Sequence, residues 1–218
     1  MEKKYLFFDI DGTLTDRSTG EIVPSAREAL TRLEENGHFV AIATGRAHYK
    51  ARKFTDANGF KNMVCCGGNG CVIDNELVEN IPLDKDGCIK IIHQAEELGY
   101  GWCVALDDTK DVYMTDDKFL RQVGKRKEPT RYIIDDMLEV EKADAIYKVY
   151  VAIPKEDEEK LTTKELVGHL RFEPEYLMFQ PDNKRGGIVK MMEHLGADIK
   201  DVVVFGDDYN DMDMFCKD

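Results

Sequence analysis

The first part of the chain alternates short apolar runs with segments in which apolar residues recur at helical spacing. The runs at 5–8, 39–43 and 63–66 predict buried β-strands. A Ser-x-x-Glu capping box at 25–28 predicts a helix that ends at Gly37. Strands that alternate with helices in this way favour a parallel sheet with right-handed crossovers.

The middle of the chain has a different pattern, in which neighbouring strands follow one another without crossover helices. The predicted elements are a helix presenting Cys88, Ile91, Ile92, Ala95 and Leu98 on one face, strands near 101–106 and 111–115, a helical or irregular stretch at 118–142, a strand at 145–153, a charged helix at 155–170 and strands within 171–179. This order favours an antiparallel sheet with helices on one face. The alternating pattern then returns, with a helix that ends at Gly196 and an apolar run at 202–205. We therefore predict an α/β fold, in which a doubly wound, Rossmann-like parallel sheet formed by 1–80 and 181–218 carries residues 81–180 as an inserted α/β domain.

Two aspartates follow the first predicted strand. Asp9 and Asp11 are two positions apart, so their side chains can point to the same side at the end of that strand. Two carboxylates this close repel each other unless a cation or a shared proton intervenes, which predicts a metal ion or a divided acid–base role. A calcium-binding EF-hand is excluded, since its sixth and twelfth positions would be Leu14 and Gly20. For this segment alone, an ordinary Asp- and Gly-containing turn remains an alternative.

Further polar residues stand where the other predicted strands of the sheet end. Thr44 follows the second strand, Asp207, Asn210 and Asp211 follow the last one, and Lys184 lies just before the last crossover helix. Because the carboxyl ends of parallel strands meet at one edge, these groups can converge. Together they meet the needs of phosphoryl transfer: an attacking carboxylate, a cation that joins it to a dianionic substrate, a lysine and a hydroxyl for phosphate oxygens, and a second carboxylate for proton transfer. Oxygen ligands of this kind favour Mg²⁺ over transition metals.

Composition restricts the expected partners. The chain has 218 residues and a formal net charge of −13, which argues against a nucleic-acid-binding surface. We also expect no membrane contact, since no apolar run approaches the roughly 20 residues of a membrane span and the N-terminus lacks a signal-peptide cleavage region. The six cysteines form no Cys-x-x-Cys pair and no secretory signal precedes them, so they are expected to be reduced thiols of a cytoplasmic protein. Cys65, Cys66 and Cys71 have the wrong spacing for a tetrahedral zinc site. A monomer or homodimer is expected.

Four segments, at 9–13, 44–46, Lys184 and 206–211, occur in this order along the chain. Their sequences, Asp-Ile-Asp-Gly-Thr, Thr-Gly-Arg, Lys and Gly-Asp-Asp-Tyr-Asn-Asp, resemble the four motifs of the haloacid dehalogenase-like (HAD) superfamily of phosphatases, and most of all its Cof-type branch (subfamily IIB). The resemblance implies a Mg²⁺-dependent phosphomonoester hydrolase acting on small phosphorylated metabolites. It also implies that the insertion at 81–180 is a cap domain, able to act as a lid over the phosphate site.

The resemblance further implies a role for each matched residue. Asp9 would be the nucleophile that forms an aspartyl phosphate, and Asp11 would be the general acid and base. Mg²⁺ would be held by the Asp9 carboxylate, the backbone carbonyl of Asp11 and the carboxylate of Asp207. The residues expected to bind phosphate or substrate are Thr44, Gly45, Arg46, Lys184 and Asn210. Asp211 would hold Lys184 or a metal ligand in place without itself binding the substrate.

Two other functions remain open at this stage. A phosphotransferase, such as a phosphomutase, would pass the phosphoryl group from the same aspartyl phosphate to a hydroxyl acceptor. A non-catalytic binding protein would keep the fold without turnover. Members of the family usually continue past the fourth motif for another strand or two and a helix, whereas this sequence ends at Asp218. We therefore expect one edge of the sheet to be exposed.

Overall fold

The computed structural model describes residues 2–126 and 130–215, which divide into two compact units. The first unit comprises the described residues of Met1–Asn80 and Asp182–Asp218, and the second those of Ile81–Pro181. The second unit is thus an insertion in the first. In the described part of the chain, no helix has the length and apolar character needed to cross a membrane.

Strands and helices are numbered in chain order. The strands are β1 (Tyr5–Phe8), β2 (Phe39–Ala43), β3 (Met63–Cys65), β4 (Gly70–Ile73), β5 (Glu76–Asn80), β6 (Trp102–Ala105), β7 (Asp111–Met114), β8 (Arg131–Ile134), β9 (Lys148–Val151), β10 (His169–Glu173), β11 (Tyr176–Phe179) and β12 (Val202–Phe205). The α-helices are α1 (Pro24–Glu35), α2 (His48–Asn58), α3 (Lys85–Glu97), α4 (Lys118–Val123) and α5 (Lys184–His194). Short 3₁₀ helices span Cys66–Gly68, Val140–Lys142, Lys155–Lys160, Lys164–Leu166, Ile199–Asp201 and Tyr209–Phe215.

The first unit is built on a six-stranded sheet in the order β12-β1-β2-β3-β4-β5. The strands β12, β1, β2 and β3 are parallel, and β4 and β5 extend the sheet as an antiparallel hairpin. Alternate residues of β1 face opposite sides. Leu6 and Phe8 belong to the apolar cluster that includes Leu30 of α1, whereas Phe7 packs in the cluster that includes Ile188 and Met191 of α5. Helices therefore cover both faces, and the predicted doubly wound sheet is confirmed.

The strand β12 lies at one edge of this sheet, beside β1. Val203 and Phe205 are partly exposed there, and the Phe205 ring stacks on Phe8 with 4.5 Å between the ring centroids. The loop that follows β12 leaves this edge and carries the fourth motif.

The inserted unit contains a second six-stranded sheet in the order β10-β11-β9-β6-β7-β8. All pairs are antiparallel except β7 and β8, which are parallel. Helix α3 packs Ile91 and Ile92 in the apolar cluster on one face, whereas Phe119 of α4 joins the cluster of Cys103 and Tyr150 on the other. The predicted sheet is present, but helices cover both of its faces instead of one.

Three local predictions are wrong. Helix α1 begins at Pro24 with Val23 as its N-cap and no side-chain cap, because the fixed φ of proline suits the first helical position. The stretch at 118–142 contains the strand β8, which pairs with β7 over its whole length. The segment 155–170 forms two short 3₁₀ helices and the start of β10 instead of one charged helix. There, the Glu158 carboxylate accepts a hydrogen bond from Arg171 Nε of β10 at 2.7 Å.

Candidate active site

Three carboxylates and one lysine lie together just beyond the carboxyl ends of β1 and β12. The Lys184 ammonium donates to Asp9 Oδ1 at 2.7 Å and to Asp211 Oδ1 at 2.5 Å. The Lys184 side chain is only 1% exposed, and both of its partners are buried. One carboxylate oxygen from each of Asp9, Asp207 and Asp211 lies within 4.8 Å of the others. A buried ammonium thus sits beside a compact group of potential metal ligands.

The loop after β12 is closed by the side chain of Asp211. Its Oδ2 accepts the backbone N–H groups of Asp207 at 3.0 Å and Asp208 at 3.1 Å, while its Oδ1 accepts from Lys184. Gly206 leaves no room for a side chain, since a Cβ there would lie 2.6 Å from Asp211. Asp211 therefore holds both the loop and the lysine.

Lys184 is placed by tight packing at the start of α5. It is the first residue of the helix, whose N-cap Asn183 accepts the backbone N–H of Gly186 at 2.9 Å. The Asn183 N–H donates in turn to the carbonyl of Gly67 at 2.9 Å. A Cβ at Gly68 would lie 1.9 Å from the Asn183 carbonyl oxygen, so only glycine allows this approach. The loop after β3 thereby fixes the helix end that carries the lysine.

The second motif is bonded to the second aspartate of the first motif. Arg46 donates from Nε to Asp11 Oδ2 at 3.0 Å and from Nη2 to Asp11 Oδ1 at 2.5 Å, a bidentate pair. Thr44 is buried, and its hydroxyl accepts the backbone N–H of Arg46 at 3.2 Å across the bend at Gly45. The guanidinium of Arg46 is engaged with Asp11 here, and its expected contact with substrate stays a prediction. Asn210 lies half-buried in the 3₁₀ helix that follows the fourth-motif loop.

Asp207 has two partners in the segment that follows β1. Thr13 Oγ1 donates to Asp207 Oδ1 at 2.8 Å, and Arg17 Nη2 donates to Asp207 Oδ2 at 2.5 Å. Gly12 has φ +100°, and a Cβ there would lie 2.3 Å from Asp207 Oδ2. Sequence reasoning did not find Arg17, because it lies in a polar loop outside every motif and 190 positions away from its partner.

Comparison with known proteins agrees with this architecture. The sequence model of the haloacid dehalogenase-like hydrolases matches residues 6–217. The chain belongs to this family. The four motif segments of this HAD hydrolase all lie in its first unit, where Asp9, Asp207 and Asp211 come together.

Individual relatives extend over nearly the whole chain. YkrA of Bacillus subtilis (strain 168), named as a candidate phosphatase, is 28% identical over 217 residues, which are 98% of this chain and 83% of that protein. The pyridoxal phosphate phosphatase YbhA of Escherichia coli (strain K12) is 27% identical over 236 residues, 98% of this chain and 85% of that protein. The structure of a HAD subclass IIB sugar phosphatase superimposes with a TM-score of 0.73 at 23% identity, covering 97% of this chain and 84% of that one. The predicted family and the predicted enzyme class, a phosphomonoester hydrolase, are confirmed.

The ionisation of the site follows from its burial and ion pairs. Burial raises the pKa of Asp9, and the neighbouring Lys184 only partly opposes this rise. Burial alone would lower the pKa of Lys184, but the carboxylates of Asp9 and Asp211 outweigh it and raise the pKa. Burial also acts upward on the pKa of Asp207, yet the hydrogen bonds from Thr13 and Arg17 outweigh it and lower the pKa. The Lys184 ammonium is therefore charged, and it faces two buried carboxylates, those of Asp9 and Asp211.

The donor set fits a divalent cation of the kind that HAD phosphatases generally use. Asp9, Asp207 and Asp211 offer only carboxylate oxygens, which hard cations prefer, and these oxygens are close enough to share one ion. Both Asp211 oxygens are already engaged by Lys184 and backbone N–H groups. Both Asp207 oxygens also have partners, Thr13 and Arg17, but these contacts are exposed, so Asp9 and Asp207 are the carboxylates better able to turn to a metal. The Asp11 side chain is not in the group that the described residues form, since it pairs with Arg46.

Proposed function

We propose that this HAD phosphatase hydrolyses phosphomonoesters of small metabolites with Mg²⁺, through an aspartyl phosphate on Asp9. The observation that carries the proposal is the position of the Asp9 carboxylate. It is buried at the end of β1, hydrogen-bonded to Lys184 at 2.7 Å, and within 4.8 Å of the nearest-facing oxygens of Asp207 and Asp211. A carboxylate nucleophile needs such a cationic surrounding, because its phosphate substrate is itself an anion.

The side chains divide the reaction into two balanced steps. In the first, an Asp9 oxygen attacks phosphorus, the bond from phosphorus to the leaving oxygen breaks, and Asp11 gives that oxygen a proton. In the second, Asp11 takes a proton from water, which attacks the aspartyl phosphate and releases inorganic phosphate and free Asp9. Lys184 and the hydroxyl of Thr44 bind oxygens of the transferring group. Arg46 orients Asp11 through its two hydrogen bonds.

The metal would be held by the carboxylates of Asp9 and Asp207 and by the backbone carbonyl of Asp11. When bound, Mg²⁺ supplies positive charge that offsets the repulsion between the nucleophile and a dianionic substrate. Asp211 would hold the loop of Asp207 in place through the two backbone hydrogen bonds that it accepts.

The proposed substrates are sugar phosphates, nucleotides or phosphorylated cofactors. The names of the similar proteins support this range, since one acts on pyridoxal phosphate and another is a sugar phosphatase. The described residues of the inserted unit are proposed to act as a cap that excludes water and selects among these substrates. A net charge of −13 gives no general attraction for such anions, so Lys184 and the metal must supply the local positive charge.

The test is the release of phosphate from a panel of phosphorylated metabolites, with Mg²⁺ and with a chelator. We expect Asp9→Asn to reduce turnover at least about 10³-fold, because an amide oxygen cannot form the aspartyl phosphate. Asp56→Asn, an exposed aspartate paired with Arg52 on α2, is the control and should keep full activity. Unchanged hydrolysis by Asp9→Asn would refute Asp9 as nucleophile. With labelled substrate, an isomerised sugar phosphate in place of free phosphate would instead identify a phosphomutase.

A further inference from the structure

Arg17 lies outside the four motifs but forms an ion pair with a residue of the site. Its Nη2 lies 2.5 Å from Asp207 Oδ2 and 3.7 Å from Asp208 Oδ2. Gly12 makes this possible, because a Cβ there would come within 2.6 Å of Arg17 Nε and 2.3 Å of Asp207 Oδ2. The guanidinium group is therefore seated over the bare backbone of the first motif, against the carboxylate of the fourth.

The loop that presents Arg17 is held by its own hydrogen bonds. The Asp16 N–H donates to the Glu21 carbonyl at 3.0 Å, and the Gly20 N–H donates to the Asp16 carbonyl at 2.8 Å. At its base, Thr15 is buried and donates its hydroxyl to a carbonyl of the first-motif segment at 2.9 Å. The position of Arg17 beside the site thus follows from a built turn.

The cations of the site neutralise different carboxylates. Lys184 pairs with Asp9 and Asp211, Arg46 pairs with Asp11, and Arg17 pairs with Asp207. These cations differ in how easily each side chain can leave its carboxylate for solvent. The Lys184 side chain is 1% exposed and has no route to water without losing two buried partners, whereas the Arg17 side chain is 64% exposed. Arg17 alone in this set can withdraw into solvent at little cost.

We propose that Arg17 is a resident counter-ion of the metal site, which a divalent cation displaces from Asp207, so that Arg17 lowers the affinity of the site for metal. This inference rests on the proposed role of Asp207 as a metal ligand. Thr13 holds one oxygen of Asp207 and Arg17 holds the other, so a metal that binds this carboxylate competes with one of them. Arg17 is the one that gives way, because it carries the same sign of charge as the metal and is repelled by it.

The test measures Mg²⁺ binding by calorimetry, with magnesium chloride as the only ligand and the ionic strength held constant with potassium chloride. We expect Arg17→Gln to bind Mg²⁺ about two- to fivefold more tightly than wild type, the range of an exposed ion pair. Arg17→Lys keeps the charge and should remain close to wild type. Arg32→Gln, which removes an exposed arginine paired with Glu28 on α1, changes the net charge equally and should have no effect. The gain in Arg17→Gln should shrink at high salt.

A second readout does not depend on activity either. Without metal, Arg17→Gln should unfold at the same or a lower temperature than wild type, and Mg²⁺ should raise its Tm by more. Equal or weaker Mg²⁺ binding by Arg17→Gln would overturn the inference. Asp207→Asn distinguishes a failure of the inference about Arg17 from a failure of the proposed metal site. If Asp207→Asn loses Mg²⁺ binding while Arg17→Gln matches wild type, only the inference fails. If Asp207→Asn binds Mg²⁺ like wild type, the proposed metal site itself is wrong.

Discussion

Replacing Lys184 by methionine should destabilise the protein strongly even when no substrate or metal is present. Methionine keeps most of the apolar stem but removes the ammonium group, whose Nζ lies 2.7 Å from Asp9 Oδ1 and 2.5 Å from Asp211 Oδ1. Two buried carboxylates then lose their shared cation. Removing one partner of a buried ion pair costs about 3–5 kcal/mol of unfolding free energy. Two hydrogen bonds to charged groups, at about 1.5–3 kcal/mol each, give a similar figure.

The loss should depend on pH in a defined direction. Burial already raises the pKa of Asp9, and removal of Lys184 takes away the charge that opposes this rise. A carboxyl group with a raised pKa in the folded state favours folding at low pH, and this contribution is lost as the pH rises through the folded pKa. The variant can therefore relieve part of its strain by binding a proton. The destabilisation relative to wild type should be larger at pH 8 than at pH 5.

The assay is urea unfolding followed by circular dichroism, with a chelator present so that metal binding does not contribute. Lys190→Met on the same helix is the matched control, since Lys190 is 39% exposed and its Nζ lies 3.7 Å from Glu79 Oε2. This control should change stability by no more than about 0.5 kcal/mol. If Lys184→Met costs less than about 1 kcal/mol, or no more than Lys190→Met, then the buried ammonium does not stabilise the site as argued.

Three further predictions concern the backbone at Gly12, the partly buried Arg171, and the thiols. Gly12→Ala should cost more than Gly20→Ala in urea unfolding: both positions have positive φ, worth about 1–3 kcal/mol of strain, but only a Cβ at Gly12 meets a carboxylate, and equal losses would contradict the clash. Arg171→Gln should destabilise the protein by about 2–3 kcal/mol in the same assay, because its guanidinium donates to one carboxylate and four backbone carbonyls, and a neutral result would show that water replaces it. Burial raises the pKa of Cys71 to about 11 and of Cys103 to about 12, so mass spectrometry should find them alkylated by iodoacetamide at pH 8 only in urea. Because the unfolded thiols ionise near their ordinary value of 9.0, the stability that they contribute is complete below pH 9 and is lost as the pH rises towards 11 and 12.

Much of this protein follows from local patterns that can be recognised without coordinates. Continuous apolar runs predict the strands β1, β2 and β12, and apolar residues at helical spacing predict α5. The alternation of strands and helices in turn predicts the doubly wound sheet. Parallel strands end at a common edge, so Asp9, Lys184 and Asp207 could be assigned to one site from their places along the chain. The predicted sheet is confirmed, because hydrophobic periodicity is a property of neighbouring residues and can be recognised without coordinates.

Other features depend on contacts between residues that are far apart in sequence. The local pattern favoured a helix at 155–170, but the segment forms two 3₁₀ helices and then enters β10, which pairs with β11. The strand β8 forms by pairing with the edge of β7. No short sequence pattern near residue 131 indicates this pairing.

The site shows the same division at the level of single side chains. The motifs predicted that Arg46 binds substrate, but they did not indicate that its guanidinium also pairs with Asp11. Nothing near Arg17 in the chain indicated that it would neutralise Asp207, 190 residues away. The type and order of the chemical groups were thus encoded locally, whereas their pairing was decided by folding. The physical reason is that charge and burial act through space, so the partner of each ionised group is selected only when distant segments meet.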